Sequence, residues 1–376
     1  MKILTVVGAR PQFVKAAPVS RTLLQRDHEE LLVHTGQHYD DAMSAAFFRD
    51  LEMAEPDVNL EVGSGPHGQQ TGEMLRRLEP VLLEHRPDGV LVYGDTNSTL
   101  AGAVAAAKVT FDDGRRPWLA HVEAGLRSFN RAMPEERNRV AADHLADLLL
   151  APTPTAMGHL AREGLGERAA LVGDVMVDAF CWAEPRSGPH LPAVAAEHPG
   201  YVLLTLHRAE NVDDAERLQG WLAAMDLDRP VVFPMHPRTR ATLRAAGLRP
   251  PDNVLPLDPV GYLAMVALER SAAAIATDSG GVQKEAYLAG VPCITLRAET
   301  EWTETLDAGW NRLAPWEPAA GDGASVVAAA LADDAFMNLD RTRPQLFGDG
   351  RAAGRIVAAL EELSGTGQRT RGATTA

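Results

Sequence analysis

The stretch HVEAGLRSFNRAMPEERNR, His121 to Arg139, follows the apolar run Pro117–Ala120 and is dense with charge. It carries the carboxylates Glu123, Glu135 and Glu136 and the guanidiniums of Arg127, Arg131, Arg137 and Arg139. An apolar run that opens into such a mixture reads as a buried strand and the loop beyond its carboxyl end. In α/β folds that position presents reactive side chains, and acids set among cations suit proton transfer beside an anionic ligand.

Outward from this stretch, short apolar runs alternate with longer helical patterns, the signature of strand–helix units around parallel sheets. In the first half, strands are expected at Ile3–Val7, Leu31–Thr35, Gly89–Tyr93, Trp118–Val122 and Leu148–Ala151, with helices at Ala16–Gln25, Thr71–His85 and Thr99–Val109. The second half repeats the scheme. Its strands are expected at Tyr201–Leu206, Val231–Met235, Ala272–Thr277 and Val291–Leu296, and its helices near Ala215–Met225, Val260–Arg270 and Gly281–Ala289. Between the halves, EPRSGPHLPAVAAEHPG (residues 184–200) is rich in proline and reads as an exposed connection. Gly350–Leu363 has a helical pattern, and the polar residues after it read as a disordered tail.

A chain of 376 residues predicts two domains of ordinary size. The net charge of −15 argues against broad nucleic-acid binding, so an anionic ligand must be held by local cations. Cys181 and Cys293 have neither metal-ligand spacing nor a disulfide framework, and both read as buried thiols in a reducing compartment. The opening MKILTVVGAR reads as a strand, too short for a secretory core, and no apolar run approaches spanning length. The expectation is a cytoplasmic protein.

Four further strand ends carry candidate chemistry. Gly8-Ala9-Arg10-Pro11, with Lys15 beyond, offers two cations without a nearby acid, suited to a phosphate or simply a plain turn. Gly94-Asp95-Thr96 follows the strand GVLVY directly, and Asp95 reads either as a reactive carboxylate or as a helix cap, although Thr96, Asn97 and Ser98 compete for the cap. His207-Arg208 ends YVLLTL, where a histidine can bind or protonate a leaving phosphate; His236, Arg238 and Arg240 form a second basic group or a solvated loop. Asp278-Ser279-Gly280-Gly281 opens a helix whose unpaired N–H groups suit an anion, with Glu285 near the end of its first turn.

Together the segments GARPQFVK, TGQHYD, YGDTNST, HVEAGLR, MPEERNR, GDVMVDA, LHRAEN, DSGGVQKEA and the run from LRAETEW resemble the non-hydrolysing UDP-N-acetylglucosamine 2-epimerase family, in order from residue 1 to about 315. The resemblance implies a glycosyltransferase type B-like fold of two Rossmann-like α/β domains with the active site in the interdomain cleft. It divides the chain into an N-terminal domain (1–183), a linker region (184–200), a C-terminal UDP-binding domain (201–348), a terminal helix packing back on the first domain (349–364) and a disordered tail (365–376). Members invert C2 of the sugar by eliminating UDP to a 2-acetamidoglucal and adding it back, without cofactor or metal. A homodimer is implied as well.

Carried over by position, the resemblance makes Asp95, Glu123 and Glu135 the acid–base carboxylates and His207 an essential histidine. Arg10 and Lys15 match ligand-binding positions, Ser279, Gly280 and Gly281 the diphosphate loop, and Glu285 the ribose contact. Arg139 stands as a second-line cation, whereas Glu136 is assigned a structural partner's place because adjacent helical residues diverge.

Some positions depart from the best-known bacterial members. Ala9 and Gln12 stand where Thr and Glu are usual, Tyr39 and Asp40 replace the cation of a segment tied to allosteric activation, and Trp302 occupies an arginine's place, with Arg297 nearby as a substitute. The patterns QTGEML, SFNRAMPEE and ETEW are more like a subgroup that includes epimerases of UDP-2,3-diacetamido-glucuronate. That enzyme is the first alternative, a hydrolysing epimerase a second, and a UDP-sugar glycosyltransferase of the same fold the alternative of another class. A silent UDP-sugar binder is disfavoured by the retained carboxylates.

Overall fold

Leu4, Thr5, Val6 and Val7 are consecutive and all fully enclosed, so the first strand is covered on both faces, as parallel strands are. The computed structural model describes residues 1–37, 48–316, 322–339 and 344–372. The chain divides into two compact units, Met1–Cys181 with Phe347–Ala376, and Trp182–Leu346.

In unit 1 the strands are β1 (Lys2–Val7), β2 (Glu29–His34), β3 (Val58–Asn59), β4 (Gly89–Tyr93), β5 (Trp118–Val122), β6 (Leu148–Ala151) and β7 (Ala169–Leu171). They form one sheet in the order β3-β2-β1-β4-β5-β6-β7, parallel throughout. Unit 2 holds β8 (Val202–Thr205), β9 (Val231–Pro234), β10 (Val254–Leu257), β11 (Ala274–Thr277), β12 (Cys293–Thr295) and β13 (Asn311–Leu313). Their order is β10-β9-β8-β11-β12-β13, again all parallel. Strand order therefore reverses between β1 and β4 in one unit and between β8 and β11 in the other. Doubly wound sheets bind ligands beyond the strand ends at that reversal.

Alternation along β8 separates two apolar layers. Val202 and Leu204 pack with Trp221 and Phe233, whereas Tyr201 and Leu203 pack with Val282, Ala286 and Cys293. The sequence pattern finds the central strands but misses β3, β7, β10 and β13, short edge strands with few residues to show a period. Pro292 shortens the strand expected from Val291, so β12 begins at Cys293.

The first helix starts at Arg10, six residues before the expected Ala16, because Pro11 suits a first helical turn. Residues 184–200, expected as an exposed connection, include the end of the helix Val175–Ser187, a short turn at Gly188–His190 and the helix Ala193–Glu197. Cys293 is buried as expected, but Cys181 is exposed: Ala179, Phe180 and Ala183 take the inner side of that helix.

The last helix, Ala352–Gly372, belongs to unit 1 and extends into the segment expected to be disordered; residues 373–376 lie outside those described. Its buried Ile356, Val357 and Leu360 anchor it, and a helix nucleated by such packing propagates readily. Glu361 accepts from Arg26 at 2.9 Å and pairs with His28 at 3.0 Å, while Trp118 Nε1 donates to Ser364 Oγ at 3.1 Å. Among the described residues no helix is long and apolar enough to cross a membrane.

Asp178 caps this helix, accepting from the backbone N–H of Ala352 at 3.0 Å and of Ala353 at 2.9 Å. Asp178→Ala is expected to lower stability by about 1 kcal/mol, and Asp178→Asn, which keeps an acceptor, by less. Urea unfolding midpoints check both.

Candidate active site

At the β1–β4 reversal, three loops converge on Gly94. Its backbone adopts φ +62°, the left-handed region that favours glycine, and a side chain here would stand 3.0 Å from Lys15 Nζ and 3.2 Å from Glu123 Oε2. Lys15 and Glu123 form a close, partly buried ion pair across those loops. Asp95 pairs with Arg139, which also donates to Glu136 Oε2 at 2.9 Å. Asp95 is not the helix cap: Thr96 Oγ1 accepts from Thr99 N at 3.3 Å, and Asp95 keeps a partly exposed carboxylate.

The first turn departs from a simple phosphate cradle. Gln12 is buried, and its Oε1 accepts from the N–H groups of Gly8 at 2.8 Å and Ala9 at 3.1 Å, so those donors are used within the turn. Its Nε2 donates to Tyr93 O at 2.9 Å and to Thr99 Oγ1 at 3.1 Å, tying β1 to β4. Gly8 is needed for protein contact: an added Cβ would lie 2.0 Å from Thr35 Oγ1 and 2.2 Å from Ser98 Oγ. Lys15, expected without a nearby acid, meets Glu123 because tertiary packing brings the β5 loop to it. Arg10 begins the helix, and its side chain lies outside the described residues, as do His38, Tyr39 and Asp40.

Glu123 has φ +71°, a strained backbone for a residue with a Cβ, worth roughly 1–2 kcal/mol. The strain persists because the surrounding loop is tied on several sides. Glu123 N and Ala124 N both donate to Leu150 O, at 3.1 and 3.2 Å, and Gly125 N donates to Asp143 Oδ2 at 3.1 Å. Asp143 is fully buried and also accepts from Arg127 at 2.7 Å, with His121 Nδ1 at 2.7 Å from its other oxygen. His121 Nε2 faces Gly94 O at 2.7 Å, so both ring nitrogens meet acceptors and one imidazole links the β4 and β5 loops. Burial alone would raise the Asp143 pKa, but the hydrogen bond and charge of His121 and the Arg127 guanidinium outweigh it and hold it low.

Glu135 is exposed in the first turn of the helix Pro134–Leu145, with no ion pair among the described residues. Its neighbour Glu136 is buried, accepting from Ser128 N at 2.9 Å, Ser128 Oγ at 3.1 Å and Phe129 N at 2.9 Å, the partner role expected of it. The helix separates the two side chains, one outward and one into the loop that it clamps.

Unit 2 repeats the arrangement at β8–β11. Asp278 is fully buried and accepts from the backbone N–H of His207 at 3.1 Å, of Arg208 at 2.9 Å and from Asn211 Nδ2 at 3.2 Å. His207 Nδ1 lies 3.1 Å from Asp278 Oδ1 while its side chain is 42% exposed, which directs the ring's other edge outward. Burial pushes the Asp278 pKa up; the His207 charge and these hydrogen bonds bring it below the usual carboxylate range. Arg208 Nε donates to Asp278 O at 2.9 Å.

Ser279 caps the helix Gly280–Ala289, and a side chain at Gly281 would meet only Ser279 Oγ, at 3.9 Å, so that side of the turn is open. Arg297 is buried and pairs with Glu301 at 3.1 Å; Trp302 is buried under Lys284, whose Nζ stands 4.0 Å above the indole. Arg238 and Arg240, expected on a ligand site or a solvated loop, lie in the helix Pro237–Ala246 that His236 caps, and pair with Asp213 (Nε, 2.8 Å) and Asp258 (2.8 Å).

Structure thus groups Lys15, Asp95, Glu123 and Arg139 in one unit and His207, Ser279 and Gly280 in the other. Sequence reasoning passes over His121, Asp143 and Asp278 as the groups that hold these loops. Their signal is an acid or histidine within an otherwise apolar element, as Asp143 is in the AADHLADLLL run.

Asp143→Asn is expected to cost about 3 kcal/mol at pH 7, because it removes the buried charge that Arg127, His121 and Gly125 share and leaves Arg127 only Glu163. A carboxylate whose pKa is lower folded than unfolded stabilises fully above its unfolded pKa. That stabilisation is lost as pH falls through the folded value. The gap to wild type should therefore narrow below about pH 4. Urea unfolding between pH 7 and 3 checks this.

The sequence profile described as UDP-N-acetylglucosamine 2-epimerase matches residues 22–361. A Methanococcus maripaludis protein named as a UDP-N-acetylglucosamine 2-epimerase homolog is 46% identical, covering 96% of this chain and 100% of its own. The UDP-2,3-diacetamido-2,3-dideoxy-D-glucuronate 2-epimerase of Pseudomonas aeruginosa is 45% identical with the same coverage. A crystal structure of the Methanocaldococcus jannaschii UDP-GlcNAc 2-epimerase, in complex with UDP-GlcNAc and UDP, is 39% identical with a TM-score of 0.86, covering 96% of this chain and 100% of that one. With two Rossmann-like units in a glycosyltransferase type B-like fold, and such likeness along nearly its whole length, the chain belongs to the UDP-N-acetylglucosamine 2-epimerase family.

Proposed function

We propose that this protein is a cytoplasmic, homodimeric UDP-N-acetylglucosamine 2-epimerase that interconverts UDP-GlcNAc and UDP-ManNAc. The observation that carries the reading is the pairing of Lys15 with Glu123 and of Asp95 with Arg139 beside Gly94, at a strand-order reversal, in a chain of this family.

The chemistry asks for such groups. C2–H of the sugar is not next to a carbonyl, so proton loss must accompany departure of UDP from C1. A base takes the C2 proton, the C1–O bond breaks, UDP leaves with the bonding pair, and a C1=C2 double bond forms. Delivery of a proton to the opposite face of C2 and re-addition of UDP at C1 complete the inversion. Asp95, Glu123 and Glu135 supply the proton-transfer groups in this reading; carboxylates in different surroundings can divide base and acid roles. Arg10, Lys15 and Arg139 are the ligand-binding cations of this reading.

Holding the leaving group falls to unit 2. His207, with Nδ1 directed at Asp278, presents its other nitrogen to the diphosphate, and Ser279, Gly280 and Gly281 offer a helix amino terminus. Glu285 accepts from the ribose hydroxyls. Arg297, already bound to Glu301, contributes positive charge at the same end of the sheet.

A second reading is the UDP-2,3-diacetamido-glucuronate 2-epimerase, favoured by the QTGEML, SFNRAMPEE and ETEW patterns and by the 45% identical relative of that name. A proton NMR time course in deuterated water with each UDP-sugar separates the two. Deuterium entering C2 of UDP-GlcNAc, with UDP-ManNAc appearing, is the expected outcome. Inversion of only the uronate would establish the second reading, and UDP accumulating in proportion to turnover would indicate hydrolysis. Asp95→Asn, Glu123→Gln and Glu135→Gln should each slow turnover about 100- to 10,000-fold while UDP affinity changes little. Near-wild-type rates in all three would refute their assignment.

A further inference from the structure

A run of buried amides in unit 1 has no part in the chemistry above, yet it ends on Asp95. Asn138, in the helix Pro134–Leu145, is buried, and its Nδ2 donates to Asp95 O at 3.0 Å and to Asn97 Oδ1 at 3.2 Å. Asn97 opens the helix Asn97–Lys108; its own Nδ2 donates to Gln70 Oε1 at 2.8 Å and faces His67 Nδ1 at 3.1 Å. Gln70, buried on the helix His67–His85, donates through Nε2 to Gly63 O at 2.8 Å and to Gln37 O at 3.3 Å. Backbone carbonyls only accept, so Asp95 O at one end and Gly63 O at the other fix which way each amide points.

Asp95 is tied on its other side as well. Gly94 O meets His121 Nε2 at 2.7 Å, and Thr96 N donates to Thr99 Oγ1 at 3.2 Å. The peptide planes before and after the Asp95 Cα are thus both held, which sets its φ and ψ and with them the direction of its Cα–Cβ bond. Arg139, next to Asn138, takes the Asp95 carboxylate. Adjacent helical side chains diverge, and these two reach opposite ends of one residue.

We propose that Asn138 is a positioning residue for proton transfer at C2: with Asn97 and Gln70 fixing its amide, it holds the Asp95 carbonyl and so sets where the Asp95 carboxylate is presented. This rests on the assignment of Asp95 to proton transfer made above. Such a transfer needs the two groups within hydrogen-bond reach, and a displacement of about 1 Å, caused by a residue that touches no substrate, can cost on the order of 100-fold in rate. A network that only joined three helices would feel the loss of Asn97 as much as that of Asn138.

The test follows deuterium entering C2 of UDP-GlcNAc and of UDP-2,3-diacetamido-glucuronate in deuterated water. It compares wild type with Asn138→Asp, Asn138→Leu, Asn97→Asp and Asp95→Asn, with UDP affinity read by calorimetry and stability by urea unfolding. Asn138→Asp and Asn97→Asp are isosteric and add the same charge, but only the first removes the donor to Asp95 O; the second keeps an acceptor for Asn138. Asn138→Asp should lower kcat about 100-fold while KM and UDP affinity stay within about threefold. Asn97→Asp should lower kcat by no more than about tenfold. If Asn138→Asp fails to fold, Asn138→Leu, of similar volume and uncharged, decides by the same fall in kcat. A kcat within about threefold of wild type in the folded Asn138 variants, a rise in KM alone, or equal losses in Asn138→Asp and Asn97→Asp that follow stability would overturn the positioning role alone. Wild-type turnover in Asp95→Asn would overturn the Asp95 assignment and this role with it, and wild type that labels neither sugar would overturn the epimerase reading too.

Discussion

In each unit a carboxylate sealed from water is bound by donors from the loops that it holds together. Asp143 gathers His121, Gly125 and Arg127; Asp278 gathers His207, Arg208 and Asn211. Such a group is stable only when its oxygens are satisfied by donors and cations, and removing either side leaves an uncompensated charge. The rest of each site depends on this constraint. Without Asp143 the loop around the left-handed Glu123 loses its tie at Gly125, and without Asp278 the His207 ring loses its fixed edge.

Strain and charge are concentrated together. Glu123, Phe129 and Gly94 all have positive φ within the loops around the Lys15–Glu123 pair, and Glu136 holds the Phe129 N–H from below. Backbone outliers of this kind persist where the surroundings over-determine them, and they gather at functional positions. The overall charge of −15 does not prevent an anion site, because buried cations act at short range whereas exposed charges are screened. Arg297, Lys284, Arg127 and Arg139 are buried cations of this kind, each beside an acid or an aromatic ring.

Departures from the family pattern also have a physical account. Gln12, in place of a glutamate, uses both ends of its amide: the oxygen accepts two backbone N–H groups, and the nitrogen donates to Tyr93 O and Thr99 Oγ1. A carboxylate has no donor for the second pair. Trp302, in an arginine's usual place, stacks under Lys284, so the cation at that end of the sheet comes from another residue.

By itself the sequence determined the parallel α/β class, the central strands and the positions of Asp95, Glu123, His207 and Ser279 at strand ends. Apolar runs broken by polar strand ends are local patterns, and they survive folding. Edge strands of two to four residues, such as β3 and β13, were not legible because so few residues carry no period. Only the tertiary structure decided the partners: that Lys15 meets Glu123, that Thr96 caps a helix in place of Asp95, and that Asp143 and His121 clamp the loops. Those pairings join residues from separate elements. Charge and hydrogen bonding act through space, so the chain's order alone does not reveal them.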